Sequence, residues 1–264
     1  MTGGSEDLRK ALEDAVCDAV TGKDIAVAFS GGLDSGIIAA LVKKHAREAT
    51  LYTVGTRDSH DVKEAEISAE ELGMSGGYLE INEDDVLEGI REILSITGMK
   101  DPVTVSFEIP LYFVCRYAEE KDILTGQGAD ELFAGYSKYV GLGEEDLKRM
   151  MAEDLKKVLE LTVPYEKKIA EHFGKRIHHP FLDKNVIRAA GELDINELIS
   201  SEDPASRKRV LREAAKTFGY AGISSKEKKA AQYGSGVMVL IKRICRMNGQ
   251  TFAELIEFIR REVL

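Results

Sequence analysis

Between two apolar stretches the chain reads Ser30-Gly31-Gly32-Leu33-Asp34-Ser35-Gly36. Glycines let backbone N–H groups approach an oxyanion closely, Ser30 and Ser35 add hydroxyl donors, and a helix starting here adds partial positive charge. That set suits a phosphate. Asp34 is the odd member, since a carboxylate repels phosphate unless a cation lies between them. Mg2+ shared by a carboxylate and phosphate oxygens reconciles the two. A tight glycine turn with a capping Asp34 is the plain structural alternative. The loop matches neither common nucleotide loop: no lysine follows the glycines as GxxxxGK[ST] demands, and Gly31 and Gly32 are adjacent, unlike those of GxGxxG.

The elements around the loop say where it sits. Asp24–Phe29 is a near-continuous apolar run, as expected of a parallel strand buried on both faces. The pattern then predicts a helix over 35–47, a strand over Thr50–Gly55 and a helix over Asp61–Gly73. In that helix Val62, Ala65, Ala69 and Leu72 recur at helical spacing and Gly73 is the stop. A strand over Gly77–Ile81, a helix over 83–96, an apolar helix over Glu108–Glu120 and a strand over Asp122–Gly126 follow. Strands alternating with helices predict right-handed βαβ units, hence an α/β fold with a parallel twisted sheet covered by helices on both faces. A second acid, Asp130, follows the last of these strands. Asp34 and Asp130 then converge from the ends of neighbouring strands, where such sheets bind ligands. A helix N-cap is the alternative role for Asp130. From about Glu144 the pattern is mainly helical, with Asp203-Pro204 as a helix start and 251–262 as a final amphipathic helix. The reading is a single domain, 1–264, with an α/β core over about 20–142 and a helical region over about 143–264.

Composition narrows the class. The chain has 264 residues, 44% apolar and 31% charged, the balance of a globular protein. No apolar run is long enough to cross a bilayer, and the amphipathic start (Leu8, Leu12, Val16, Val20) lacks the layout of a signal peptide. Three scattered cysteines, Cys17, Cys115 and Cys245, make neither a disulfide framework nor a metal pair, so a cytoplasmic location is expected. A net charge of −10 argues against nucleic acid as the main partner.

The loop after a buried strand resembles the pyrophosphate-binding loop of the N-type ATP pyrophosphatases (PP-loop enzymes), which split ATP between the α and β phosphates to adenylate a substrate. Within that class, Leu124–Tyr139, "LTGQGADELFAGYSKY", is similar to the signature of the asparagine synthetase synthetase-domain family. "YTVGTRDSHDVKEAEISAEELG", "HHPFLDKNVI" and "RKRVLREA" resemble its other segments, so the likeness runs from about residue 20 to 240. It implies an adenine nucleotide alpha hydrolase-like fold and an AMP-forming, ATP-dependent carbon–nitrogen ligase. By the same resemblance ATP and Mg2+ are the cofactors, with Asp34 and Asp130 as metal ligands. Phe29, Ser30, Gly31, Gly32, Asp34, Ser35, Val54, Thr125 and Gly126 line the nucleotide site, and Lys228, Gln127, Asp130 and Tyr136 form the catalytic set. Family members place a lysine shortly before a glycine-containing turn, where a cation meets the charge developing on pyrophosphate. Counting back from Gly236 gives Lys228, with Lys229 the alternative.

Departures shape the expectation. Asparagine synthetases carry a glutaminase domain before the synthetase part, and none is expected in this chain. Nitrogen is then expected from free ammonia, from an amine on the substrate or from a separate glutaminase subunit. The partners expected are a small-molecule carboxylate and that ammonia or amine donor, with a homodimer as the assembly and no membrane. Gln127 stands where the family has an acid, and a neutral amide cannot serve as a carboxylate base. His178 stands where the family often has an arginine, which puts aspartate in doubt as the substrate. Two other readings stay open: a non-catalytic, regulatory ATP- or AMP-binding module, and an RNA-modifying PP-loop enzyme. His178 and His179 should face opposite ways on an extended segment, Cys115 should be core, and Arg207–Arg212 should be a charged helix face, with contact to phosphates as the alternative. Cys245, among Lys242, Arg243 and Arg246, could have a lowered pKa.

Overall fold

The computed structural model of the chain describes residues 3–199, 207–225 and 231–263. Lys228, Lys229 and Asp203-Pro204 lie outside the described residues. Helix α1 (Gly3–Val20) aligns Leu8, Leu12, Val16 and Val20 on one buried face, the consequence of their i, i+4 spacing. It leads into strand β1 (Asp24–Ala28), after which come α2 (Leu33–His45), β2 (Glu48–Gly55), α3 (His60–Leu72), β3 (Gly76–Glu80), α4 (Glu83–Thr97), α5 (Pro102–Tyr117) and β4 (Asp122–Leu124). With β5 (Arg176–His178), these strands form a fully parallel sheet in the order β3-β2-β1-β4-β5.

Alternation along the central strands sends side chains into two cores. Ile25, Val27 and Leu124 join one with α1 and α2. Ala26 and Ile123 join the other with α4, α5 and the helices Val237–Met247 and Phe252–Val263. Both faces are therefore covered, which is why these strands read as continuous apolar runs. The expected α/β architecture is the one observed.

The order of strands places the site. From β1 the chain runs to β2 and β3 on one side, then returns to β4 on the other. The crevice where this reversal occurs is the ligand site of open parallel sheets. Val27 pairs with Leu124, so the Ser30–Ser35 loop and the Thr125–Asp130 segment leave the sheet side by side.

The elements depart from expectation at several points, three of which are informative. Helix α5 starts at Pro102 rather than Glu108, because Asp101 accepts from Thr104 N and Pro102 occupies the first turn. Pro110 is carried inside the helix. Strand β4 ends at Leu124, after which Thr125 N donates to His178 O of β5 at 3.1 Å. Strand β5 itself lies in the region read as helical; three residues carrying one arginine and one histidine offer no periodicity to read.

Candidate active site

The loop after β1 is shaped from both sides. Thr53 Oγ1 donates to Phe29 O at 2.8 Å, and the Ser30 and Ser35 hydroxyls lie 3.2 Å apart, with Ser30 N donating to Ser35 Oγ. Gly31 has φ +70, and a Cβ there would sit 2.3 Å from Ala65 N, so only glycine lets the loop press on α3. Ser68 Oγ fastens it by donating to Gly31 O at 2.8 Å. Gly32 is the N-cap of α2 and no side chain caps it. Asp34 is thus no cap, and the first-turn N–H groups of α2 have no intrahelical partner, the arrangement that attracts anions.

Asp34 instead turns to a lysine. Lys208 Nζ is 2.5 Å from Asp34 Oδ2 and 2.8 Å from Asp130 Oδ1. Lys208 is 2% exposed. It precedes the helix Arg209–Thr217 with φ 57, a left-handed conformation costly for a side chain with a Cβ. Gly135 makes the room, since a Cβ there would meet Asp130 Oδ1 at 1.9 Å and Lys208 Cε at 2.2 Å. Arg207 donates to Gly135 O at 2.8 Å, and Arg212 donates to Arg207 O and to Ser224 O. The Arg207–Arg212 run is therefore not a solvated charged face; it threads a cation into the site. Asp130 is likewise not an N-cap, for Gly128 holds that position and the Asp130 carboxylate faces Lys208.

The donor set fits Mg2+. Asp34 and Asp130 are hard oxygen donors aimed at one cation position, and Mg2+ is characteristically held by one or two carboxylates with phosphates completing the shell.

A cavity of about 330 Å³ opens from this point. Phe29, Ser30, Asp34, Ser35, Val54, Thr125, Gly126, Gln127, Asp130 and Tyr136 line it. Gly31 and Gly32 do not, one lying under α3 and the other at the start of α2. At the far end Gln127 Nε2 donates to Glu166 Oε1 at 3.2 Å, and His179 Nε2 lies 3.1 Å from Glu166 Oε2. Burial, with the charges of Lys167 and His178, depresses His179 to about 3, so it is neutral. Burial raises Glu166 well above the carboxylate range, the nearby charge of Glu108 adds to this, and the Gln127 hydrogen bond opposes it. Burial alone lifts Glu108 to about 8. Tyr136 donates to Glu131 Oε1 at 2.5 Å; burial and then the charge of Asp130 raise Glu131.

Lys208, Glu108 and Glu166 were not legible as site residues. Glu108 left a trace, a lone acid in the apolar stretch "SFEIPLYFVC". Lys208 and Glu166 sit in ordinary charged runs. His178 and His179 do face apart, one toward Asp122 and the other toward Thr125 and Glu166. Cys115 is core, and burial pushes its thiol up. Burial also raises Cys245, against the lowering its basic neighbours suggested. Among the described residues no helix is long and apolar enough to cross a membrane.

Comparison with known proteins identifies the family. The asparagine synthase family model matches residues 7–142 and 138–257. A putative glutamine-hydrolyzing asparagine synthetase from Methanocaldococcus jannaschii is 28% identical, over 98% of this chain and 55% of that protein. Asparagine synthetase B of Escherichia coli is 27% identical, over 88% of this chain and 45% of that protein. The chain thus spans about half the length of these curated relatives. Among solved structures, NMN synthetase from Francisella tularensis is similar with a TM-score of 0.45 and 15% identity, covering 98% of this chain and 92% of that one. The chain belongs to the asparagine synthase family.

Proposed function

We propose that this chain is an ATP-dependent amide ligase that adenylates a substrate carboxylate, releases pyrophosphate and passes the acyl group to ammonia or an amine. The observation that carries this reading is the convergence of Asp34, Asp130 and Lys208 beside a glycine–serine loop at the strand-order reversal. Ser30 to Ser35 present backbone N–H groups and hydroxyls to the β and γ phosphates. The substrate carboxylate attacks the α-phosphorus; the bond to the bridging oxygen breaks and its electron pair leaves with pyrophosphate. Lys208 neutralises that charge, which is the part of such a reaction where preorganised cations count most. Asp34 and Asp130 would hold Mg2+, which when bound offsets phosphate charge. Phe29, Val54, Thr125 and Gly126 border the adenosine, with Lys228 as a second cation toward the phosphates. The amine then attacks the acyl carbon and AMP departs.

Gln127 does not leave the acceptor end without a carboxyl, because Glu166 meets its amide from the helix Val163–His172. This favours a working enzyme over a regulatory nucleotide-binding module. A separate glutaminase subunit and a homodimer remain part of the proposal. The test is product analysis: ATP and Mg2+ with a panel of amino and dicarboxylic acids, plus ammonia or amines, and Asp34→Ala as the blank. AMP and pyrophosphate formation dependent on one acid is the expected result. ADP with phosphate, or no turnover with any acid, overturns it.

A further inference from the structure

The cavity has two chemically different ends. At one, Asp34 and Asp130 close on Lys208. At the other, two stripes from neighbouring helices line the space. Thr104, Glu108 and Leu111 recur at i, i+4, i+7 along α5. Val158, Thr162 and Glu166 recur at i, i+4, i+8 through a π-helical turn (Val158–Thr162) that runs into the helix Val163–His172. Such turns often mark functional positions.

Glu108 and Glu166 are 2% and 6% exposed, yet both line the cavity. No hydrogen bond or ion pair reaches Glu108 among the described residues. Glu166 Oε2 is buried, and His179 Nε2, though near, is not aligned to bond it. Glu108 has no bonding partner among the described residues and Glu166 only the Gln127 amide, and buried carboxyls so sparsely bonded are expensive to keep. Among the described residues no lysine, arginine or histidine lines the cavity. A ligand carboxylate would find no cationic side chain among the described lining residues; a cation would find two carboxyl acceptors. Phe107, Leu111 and Val158 add apolar surface to the same lining.

We propose that Glu108 and Glu166 form the subsite for the amine substrate, and that this substrate is an organic primary amine with an apolar chain rather than ammonia. The ammonium group sits between the two carboxyls and its chain covers the Phe107–Leu111–Val158 wall. Burial disfavours the charged form of both carboxyls, so R–NH3+ binds with ionisation of one carboxyl, whose proton goes to solvent. Ammonia would satisfy the carboxyls but leave the wall uncovered. The inference rests on the ligase reading for the fate of the amine, but the subsite can be measured without turnover.

The experiment is a ligand-observed NMR titration of the whole chain with n-butylammonium, ammonium and n-butyrate. Wild type should bind n-butylammonium at least tenfold more tightly than ammonium. Glu108→Gln/Glu166→Gln should weaken n-butylammonium at least tenfold while ATP affinity, measured on the same samples, holds. n-Butyrate should not compete. Should the double variant lose ATP binding as well, Phe107→Ala serves instead, and the preference for n-butylammonium over ammonium should shrink severalfold. Equal n-butylammonium binding by a double variant that still binds ATP, an undiminished preference in Phe107→Ala, or competition by n-butyrate overturns the subsite. A chain that forms no pyrophosphate but shows the expected binding series overturns only the ligase reading.

Discussion

Lys208, Asp34 and Asp130 are stable as a set of three. Each alone would be a buried charge, which costs several kcal/mol, and Lys208 bridges the two carboxylates so that the set carries one net negative charge rather than two. The left-handed backbone at Lys208 adds a cost on the order of 1–3 kcal/mol, a kind of strain that concentrates at functional sites. Replacing Lys208 with Met should therefore act twice. Pyrophosphate formation should fall by roughly 10²–10³, the usual consequence of removing one preorganised charge-stabilising group. Stability should fall by about 3–5 kcal/mol, because two carboxylates are left facing each other. A pyrophosphate-release assay and a urea titration check the two; undiminished turnover would remove Lys208 from the mechanism.

At the scale of elements, the short strand β5 is held at the sheet edge by charge as much as by backbone pairing. Asp122 in β4 accepts from Arg176 at 2.5 and 2.9 Å and lies 2.7 Å from His178 Nε2, with Lys23 at 3.7 Å. Burial alone would raise Asp122; Arg176, His178 and Lys23 outweigh it and hold it at about 2, below its ordinary 3.8. A folded-state value below the unfolded one means stability present above pH 3.8 and lost as pH falls toward 2. Asp122→Asn should therefore melt below wild type at neutral pH, with the gap closing between pH 4 and 2. A gap independent of pH would mean that the carboxylate charge is not what holds β5. The same tie orients His179 on the opposite side of the segment, toward Glu166, so this edge strand helps set the acceptor end of the cavity.

Over the whole molecule, the helices after residue 143 are not an appendage. Leu240, Ile241, Leu255, Ile256 and Ile259 complete the core that α4 and α5 begin against the sheet, and Lys208 reaches back to the β1 loop. The two regions should unfold together. Far-UV circular dichroism and tyrosine fluorescence (the chain has nine tyrosines and no tryptophan) should give coincident urea transitions. Separate transitions would divide the chain into two units.

The alternation of strand-like runs with 3.6-residue periods was enough to place the first four strands and the helices between them, and for β1 and β4 burial on both sheet faces writes itself into local pattern. The Ser30–Ser35 loop was equally legible, since glycines and hydroxyls at a strand end have few other uses. Asp34 and Asp130 could be paired before any coordinates existed, because parallel strands deliver their ends to one edge. Lys208, Glu108 and Glu166 could not. Each lies on an element whose own periodicity explains it, and each becomes a site residue only when distant segments fold onto the same crevice: Lys208 meets Asp34 across 174 positions of chain. Local pattern reports which face of an element is buried. Which charges then meet in that buried space is decided by tertiary packing alone.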